Sequence, residues 1–203
     1  RSLSCSKIYI YTIIDRYKNL LTSIGLLVSK KIVHNNILFE NIITNKYDIL
    51  LTDFSKALDI SRIDINEYIQ NLIIEYNPIY IYYPIELHLL SYLITNKIDS
   101  ISNNNINQII DDVLENHYIL IHFGTTIISK FKEDGIRFLS KYINKSFDNI
   151  VNDVLKYYTT WDKYSLSINY LILLIEIHKN ISHSNKFIIL FMRHLLENIS
   201  FNP

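Results

Sequence analysis

The stretch Ile32-Val33-His34-Asn35-Asn36-Ile37-Leu38-Phe39-Glu40-Asn41-Ile42-Ile43 decides how the rest of the chain is read. It follows a long helical pattern. Ile13, Tyr17, Leu20, Leu21, Ile24, Leu27 and Val28 recur at intervals of three and four, which predicts the apolar face of a helix over residues 7–30. Lys30 and Lys31 put positive charge where a helix C-terminus favours it. After the stretch, Ile42-Ile43 and Ile49-Leu50-Leu51 flank the polar run Thr44-Asn45-Lys46-Tyr47-Asp48, so two short strands around a turn are expected. His34, Asn41 and Asp53 therefore fall at the edges of a helix–loop–hairpin unit.

The remaining chain reads as mainly helical. Residues 54–86 mix short apolar clusters with polar residues, and Pro78 and Pro84 interrupt any long helix there. One helical stretch is expected within 64–74. Further helices are expected at 86–96, 105–122, 125–143 and 147–158, separated by Asn-rich or Gly-containing breaks. Residues 162–178 are apolar nearly all round, as in a buried central helix. A last helix is expected over 185–198. No internal repeat is visible.

A chain of 203 residues that is 49% hydrophobic can bury a core. Its formal net charge of zero argues against a strongly basic nucleic-acid surface. Ile, Asn, Lys and Tyr are abundant, whereas Gly and Pro occur three times each and Ala only at position 57. The common residues have AT-rich codons, so an AT-rich genome such as that of a large DNA virus or certain protists is expected, and runs such as Asn103–Asn105 read as drift rather than design. Cys5 is the sole cysteine, which excludes an intrachain disulfide and a cysteine zinc cluster. An intracellular setting fits, host cytoplasm or virion if the source is viral. No run reaches the roughly 18–20 apolar residues of a membrane span. A start at Arg1 without Met, and without a cleavage pattern, reads as a fragment or trimmed chain with no signal peptide.

The stretch 32–43 resembles the catalytic loop of the protein kinases, H-R-D-L-x-x-x-N. His34 takes the His position and Asn41 that of the metal-binding Asn. Leu51-Thr52-Asp53-Phe54-Ser55 resembles the D-F-G motif that supplies a magnesium-binding Asp. Tyr83-Pro84-Ile85-Glu86 resembles the A-P-E motif. Trp161-Asp162-Lys163-Tyr164-Ser165-Leu166 is similar to the start of the family's central helix, whose Asp braces the catalytic loop. Phe187 to Pro203 resembles a late helix and the turn after it. Each match alone is weak; the specificity lies in five matches in the family's order. The resemblance implies a mainly α fold over 1–203, a kinase-like large lobe with a short β-hairpin near the catalytic loop. Residues 87–158 form a helical insertion in it, and the small lobe is absent.

The same resemblance implies a chemical deficit. Asn36 stands where the family has its Asp base, and a carboxamide is no base near neutral pH. Leu38 stands where the Ser/Thr-type loop has a Lys, and offers no charge to a transferring phosphate. Asn35 replaces an Arg that reads a phosphorylated activation loop, and Ser55 replaces the Gly of D-F-G. Asn41 and Asp53 keep oxygen ligands for Mg2+ with ATP, binding of which is expected to be weak or absent. His34, Phe54, Glu86 and Asp162 would pack or brace. Glu86 would lack the Arg that usually pairs with it. No Gly-rich loop, V-A-I-K lysine or partner Glu helix is present.

Three functional readings follow. The first is a pseudokinase acting by protein binding, with residues 87–158 read either as a docking surface for a partner or as elaborated packing around the lobe. The second is an active atypical Ser/Thr kinase whose small lobe lies upstream. The third is an unrelated all-helical interaction module, which would be favoured if residues 41–53 were helical and Asp162 lay far from residues 34–36. The seven histidines do not favour a metal site: His117 and His122 are five apart, and His88, His178, His183 and His194 are isolated or flank a turn. The tyrosine clusters Tyr80, Tyr82, Tyr83 and Tyr157, Tyr158 read as core and rim in a chain without basic surplus.

Overall fold

The computed structural model describes residues 7–45, 48–61, 75–179 and 186–201. The helix expected within 64–74 lies outside the described residues. The protein is mainly helical, with a small antiparallel hairpin. It divides into two compact units, residues 1–58 with 162–199 and residues 59–161 with 200–203.

The first unit is built on α1 (Lys7–Ser29), the helix predicted by periodicity. Ile10, Ile13, Tyr17, Leu20 and Ile24 are all buried, at the three-and-four spacing of one face. The chain leaves α1 through Lys31 in the left-handed region, φ 58°, and enters the short strand β1 (Ile32–Val33). A 3-10 turn at Phe39–Asn41 then leads into β2 (Ile42–Thr44). β2 pairs antiparallel with β3 (Ile49–Leu51), with Ile43 opposite Leu50. The hairpin is closed by Asn45 and Asp48: the Asp48 N–H donates to Asn45 Oδ1 at 2.6 Å, and the Asn45 N–H to the Asp48 carbonyl at 3.1 Å. A 3-10 turn at Phe54–Lys56 follows, then β4 (Leu58–Asp59), which pairs with β1.

The second unit carries α2 (Ile85–Asn96), α3 (Asn103–Asn116), α4 (Tyr118–Ile121), α5 (Thr125–Ser140) and α6 (Phe147–Val154). Residues Ile85 to Leu93 of α2 are all buried, so this helix forms the centre of its unit. α3 is amphipathic and buries Ile106, Ile109, Ile110 and Val113. Its start is a capping box: Ser102 Oγ accepts the Asn105 N–H at 3.3 Å, and Asn105 Oδ1 accepts the Ser102 N–H at 3.1 Å. Asn105 thus has a defined local role inside a run whose composition suggested drift.

Two helix boundaries differ from expectation. The helix expected over 105–122 is interrupted at His117, which is fully buried and caps α3 by donating its N–H to the Leu114 carbonyl at 3.2 Å. The expected break between 158 and 162 is also absent. A 3-10 turn at Leu155–Tyr157 passes directly into α7 (Tyr158–Lys179). The first turn of α7 belongs to the second unit and the rest to the first. α8 (Lys186–Ile199) completes the first unit and buries Ile188, Phe191, Leu195 and Ile199.

In the first unit, Tyr17 sits edge-on to Tyr170 and Phe191, with ring centroids 5.0 and 5.2 Å away. Its hydroxyl lies 3.1 Å from Ser167 Oγ and accepts Asn198 Nδ2 at 2.9 Å. Burial raises the Tyr17 pKa, so this network holds a neutral phenol. No helix among the described residues is long and apolar enough to cross a membrane.

Candidate functional site

The loop between β1 and β2 is fixed from below by the first turns of α7. Asp162 is 1% exposed. Its Oδ2 accepts the backbone N–H of His34 at 2.7 Å, and its Oδ1 accepts that of Asn35 at 2.9 Å. Burial pushes the Asp162 carboxyl up to about 6, with the two N–H donors acting against that shift. Asn35 needs this support because it is held at φ 56°, in the left-handed region that Asn tolerates better than most residues.

Two turns further along α7, Asn169 performs a second clamping role. Its Oδ1 accepts the Phe39 N–H at 3.1 Å, and its Nδ2 donates to the Ile37 carbonyl and to the Ser165 carbonyl, both at 2.8 Å. Asn169 is 1% exposed. It appeared in the sequence only as an interruption of an apolar run, and that polar interruption at a buried helical position was the available signal.

His34 is fully buried. Its Nε2 lies 3.0 Å from the Thr52 carbonyl, so Nε2 carries the proton and donates. Burial lowers the His34 pKa, outweighing the hydrogen bond to Thr52 and the charge of Asp53. The ring lies 4.5 Å from that of Phe54. Thr52 also ties the hairpin to the loop, since its N–H and its hydroxyl both donate to the Asn41 carbonyl, at 2.9 and 3.1 Å.

Asn36 is the junction of the site. Its carbonyl accepts Asn41 Nδ2 at 2.9 Å, and its own Nδ2 donates to Asp53 Oδ2 at 2.7 Å. Asp53 adopts φ 58°, ψ 71°, and turns its other oxygen back on the chain: Oδ1 accepts the Ser55 hydroxyl at 2.6 Å and the Ser55 N–H at 3.3 Å. The Ser55 hydrogen bonds lead the causes that hold the Asp53 pKa below its usual value, with His34 and Asn36 adding to them. Asp53 and Phe54 are exposed, whereas Asn36 is 5% exposed.

The structure therefore brings His34, Asn35, Asn36, Asn41, Asp53, Phe54 and Asp162 into one cluster. Leu38 sits beside it, half-buried in extended backbone at φ −123°, ψ 156°. Compared with family models, curated proteins and solved structures, the chain matches none. Its site has to be read from its own geometry.

Among the described residues, no group of three or more His, Cys, Asp or Glu side chains could hold a metal ion. Asn41 keeps Oδ1 as an oxygen ligand while its nitrogen is engaged. Asp53 has an N–H or O–H donor on each oxygen. A hard divalent cation takes about six oxygens, and the Asn36 amide nitrogen already occupies one approach to Asp53 Oδ2. The residues present do not fit such an ion in this arrangement.

Glu86 lies in the second unit. It is 6% exposed, and no Arg pairs with it among the described residues. The Glu86 backbone N–H, the Trp161 indole and the Lys141 ammonium all favour its charged form. Burial nonetheless pushes it up to about 7. Lys141 donates to Tyr157 Oη at 2.7 Å, pairs with Asp153 at 3.3 Å, and lies 4.3 to 4.8 Å from the ring centroids of Phe138, Tyr142 and Tyr157. A cavity of about 540 Å³ opens here, lined by Lys130, Arg137, Phe138, Lys141, Tyr157 and Phe201 among others.

Proposed function

We propose that this chain is a protein-kinase-like domain that has given up phosphate transfer and works by binding. The observation that carries the reading is the paired hold of Asp162 on the His34 and Asn35 N–H groups. It joins two motifs that the sequence aligned separately with the kinase catalytic loop and central helix. The β2–β3 hairpin, which sets Asn41 and Asp53 around Asn36, supports the same reading. Helical residues 41–53 and a remote Asp162 would have favoured an unrelated all-helical module, and neither is found.

The loss of transfer follows from residue chemistry. Asn36 has no negative charge with which to accept a hydroxyl proton, and its nitrogen is committed to Asp53. Leu38 brings no cation to a phosphate. ATP, if held, would be bound without being cleaved. The protein-binding part of the reading falls to residues 87–158, whose helices line the cleft around Lys141.

The test is phosphate transfer from labelled ATP to a generic protein substrate and to the chain itself, with the chain extended upstream as far as its natural reading frame runs. No incorporation is expected. Incorporation that disappears in Asp53→Ala would establish an active kinase in place of the pseudokinase. Thermal unfolding with ATP, with and without magnesium, reports nucleotide binding independently of transfer.

A further inference from the structure

We infer that the Asn36 carboxamide occupies the seat of a cation on Asp53, so that this site keeps its shape without a divalent ion. The inference deepens the binding reading above, but it rests on side-chain placement and needs neither nucleotide nor transfer to be tested.

The 2.7 Å contact between Asn36 Nδ2 and Asp53 Oδ2 fixes which way the amide points. Turned over, it would set an amide oxygen against a carboxylate oxygen at the same distance, two acceptors with no proton between them. The donor therefore faces Asp53, and Asn36 Oδ1 is left buried without a partner. A bare buried acceptor is unfavourable. The compensation is the charge-assisted bond to Asp53, made by a side chain that water barely reaches.

The same residue is held from a second direction, because its carbonyl accepts Asn41 Nδ2 at 2.9 Å. Asn41, Asn36 and Asp53 thus form a chain of donors running toward one carboxylate. Ser55 closes its other side through the hydroxyl at 2.6 Å. Inside the site, Asp53 Oδ2 meets the Asn36 N–H and Oδ1 meets the Ser55 N–H and O–H. A divalent ion entering between Asn36 and Asp53 would have to break the bond between them and turn a buried amide.

Replacing Asn36 by Asp reverses this logic. Two carboxylates at hydrogen-bond distance repel one another and are relieved by a shared proton or a cation. The variant should therefore bind a divalent ion that the wild-type chain does not.

The experiment uses Mn2+ alone as the probe. In the 15N-labelled wild-type chain, the Asn36 side-chain amide signals are followed during titration with MnCl2. Retention of those signals, with no broadening centred on Asp53, is expected. Selective broadening around Asp53 at low Mn2+ would overturn the inference. Mn2+ affinity is then measured for Asn36→Asp and Asn36→Ala. Binding by Asn36→Asp at least about tenfold tighter than wild type is expected, because added ligand charge raises affinity for such ions. Equal affinity in wild type and Asn36→Asp would also overturn it. Should Asn36→Asp fail to fold without metal, the wild-type amide signals still decide. Phosphate transfer that survives Asp53→Ala would refute the binding reading without touching this one, whereas transfer lost in Asp53→Ala would count against both.

Discussion

Asp162 reaches back 128 positions along the chain to accept the His34 N–H at 2.7 Å, and with its other oxygen it holds the next N–H, that of Asn35. One buried carboxylate thus fixes a loop whose own conformation is strained at Asn35. Asp162→Asn keeps the shape but turns one oxygen into a donor facing an N–H. Loss of about 2–4 kcal/mol of stability is expected, the range for removing a charged acceptor and stranding a buried donor. Urea unfolding checks it. A variant as stable as wild type would mean that the loop does not depend on this contact.

Glu86 gives the second unit a pH dependence of defined sign. Its carboxyl is pushed up to about 7 from the usual 4.5. The stability it contributes is full below pH 4.5 and is lost as pH rises through 7, because the folded state must then carry a buried charge. Glu86→Gln keeps the size of the side chain and stays neutral at every pH. Its stability relative to wild type should rise between pH 5 and pH 8, by an amount on the order of 3 kcal/mol. Thermal unfolding of both proteins across that range gives the difference directly. Parallel curves would show that Glu86 ionises normally.

Much of this arrangement was legible because it is written locally. The spacing of Ile13, Tyr17, Leu20 and Ile24 gave α1, and the apolar runs on either side of a polar turn gave the hairpin. The positions of His34, Asn41 and Asp53 could be picked out by their order along the chain. What local pattern does not carry is the reach of Asn169 to Ile37 and Phe39 from 132 and 130 positions away. Thr52 and Ser55 are common polar residues whose roles come from the loop they face. The break at His117 was missed because its cause is burial rather than a Gly or Pro. The carboxylate of Glu86 meets Trp161 and Lys141, which no spacing rule connects.

His88 and His117 titrate in the opposite sense. Both are buried in the second unit; burial lowers His88 to about 3, with His117 lowering it further, and lowers His117 to about 4. Their unfolded value lies near 6.5, so the unfolded chain takes up protons first as pH falls. The stability they contribute is present above pH 6.5 and is lost on acidification toward pH 4. Urea midpoints should fall over that window in wild type and fall less steeply in His88→Leu. An unchanged slope would place the acid sensitivity elsewhere.

Gly135 sets two opposing effects against each other on α5. Alanine would gain up to about 1 kcal/mol of helix propensity. Its Cβ, however, would lie 2.6 Å from Ile110 Cδ1 and 3.1 Å from two ring carbons of Phe201. Ile110 is fully buried on α3, and the Phe201 ring packs 4.6 Å from that of Phe131 and 5.9 Å from that of Phe138. Neither can swing aside without repacking, and overpacking of this kind costs about 1–3 kcal/mol. Gly135→Ala should therefore destabilise the protein by about 1–2 kcal/mol. Ile110→Val removes the clashing methyl, so in that background Gly135→Ala should be neutral or stabilising. A double-mutant cycle measured by urea unfolding reads the coupling. Additive effects would show that the contact with Ile110 does not limit the approach of the two helices.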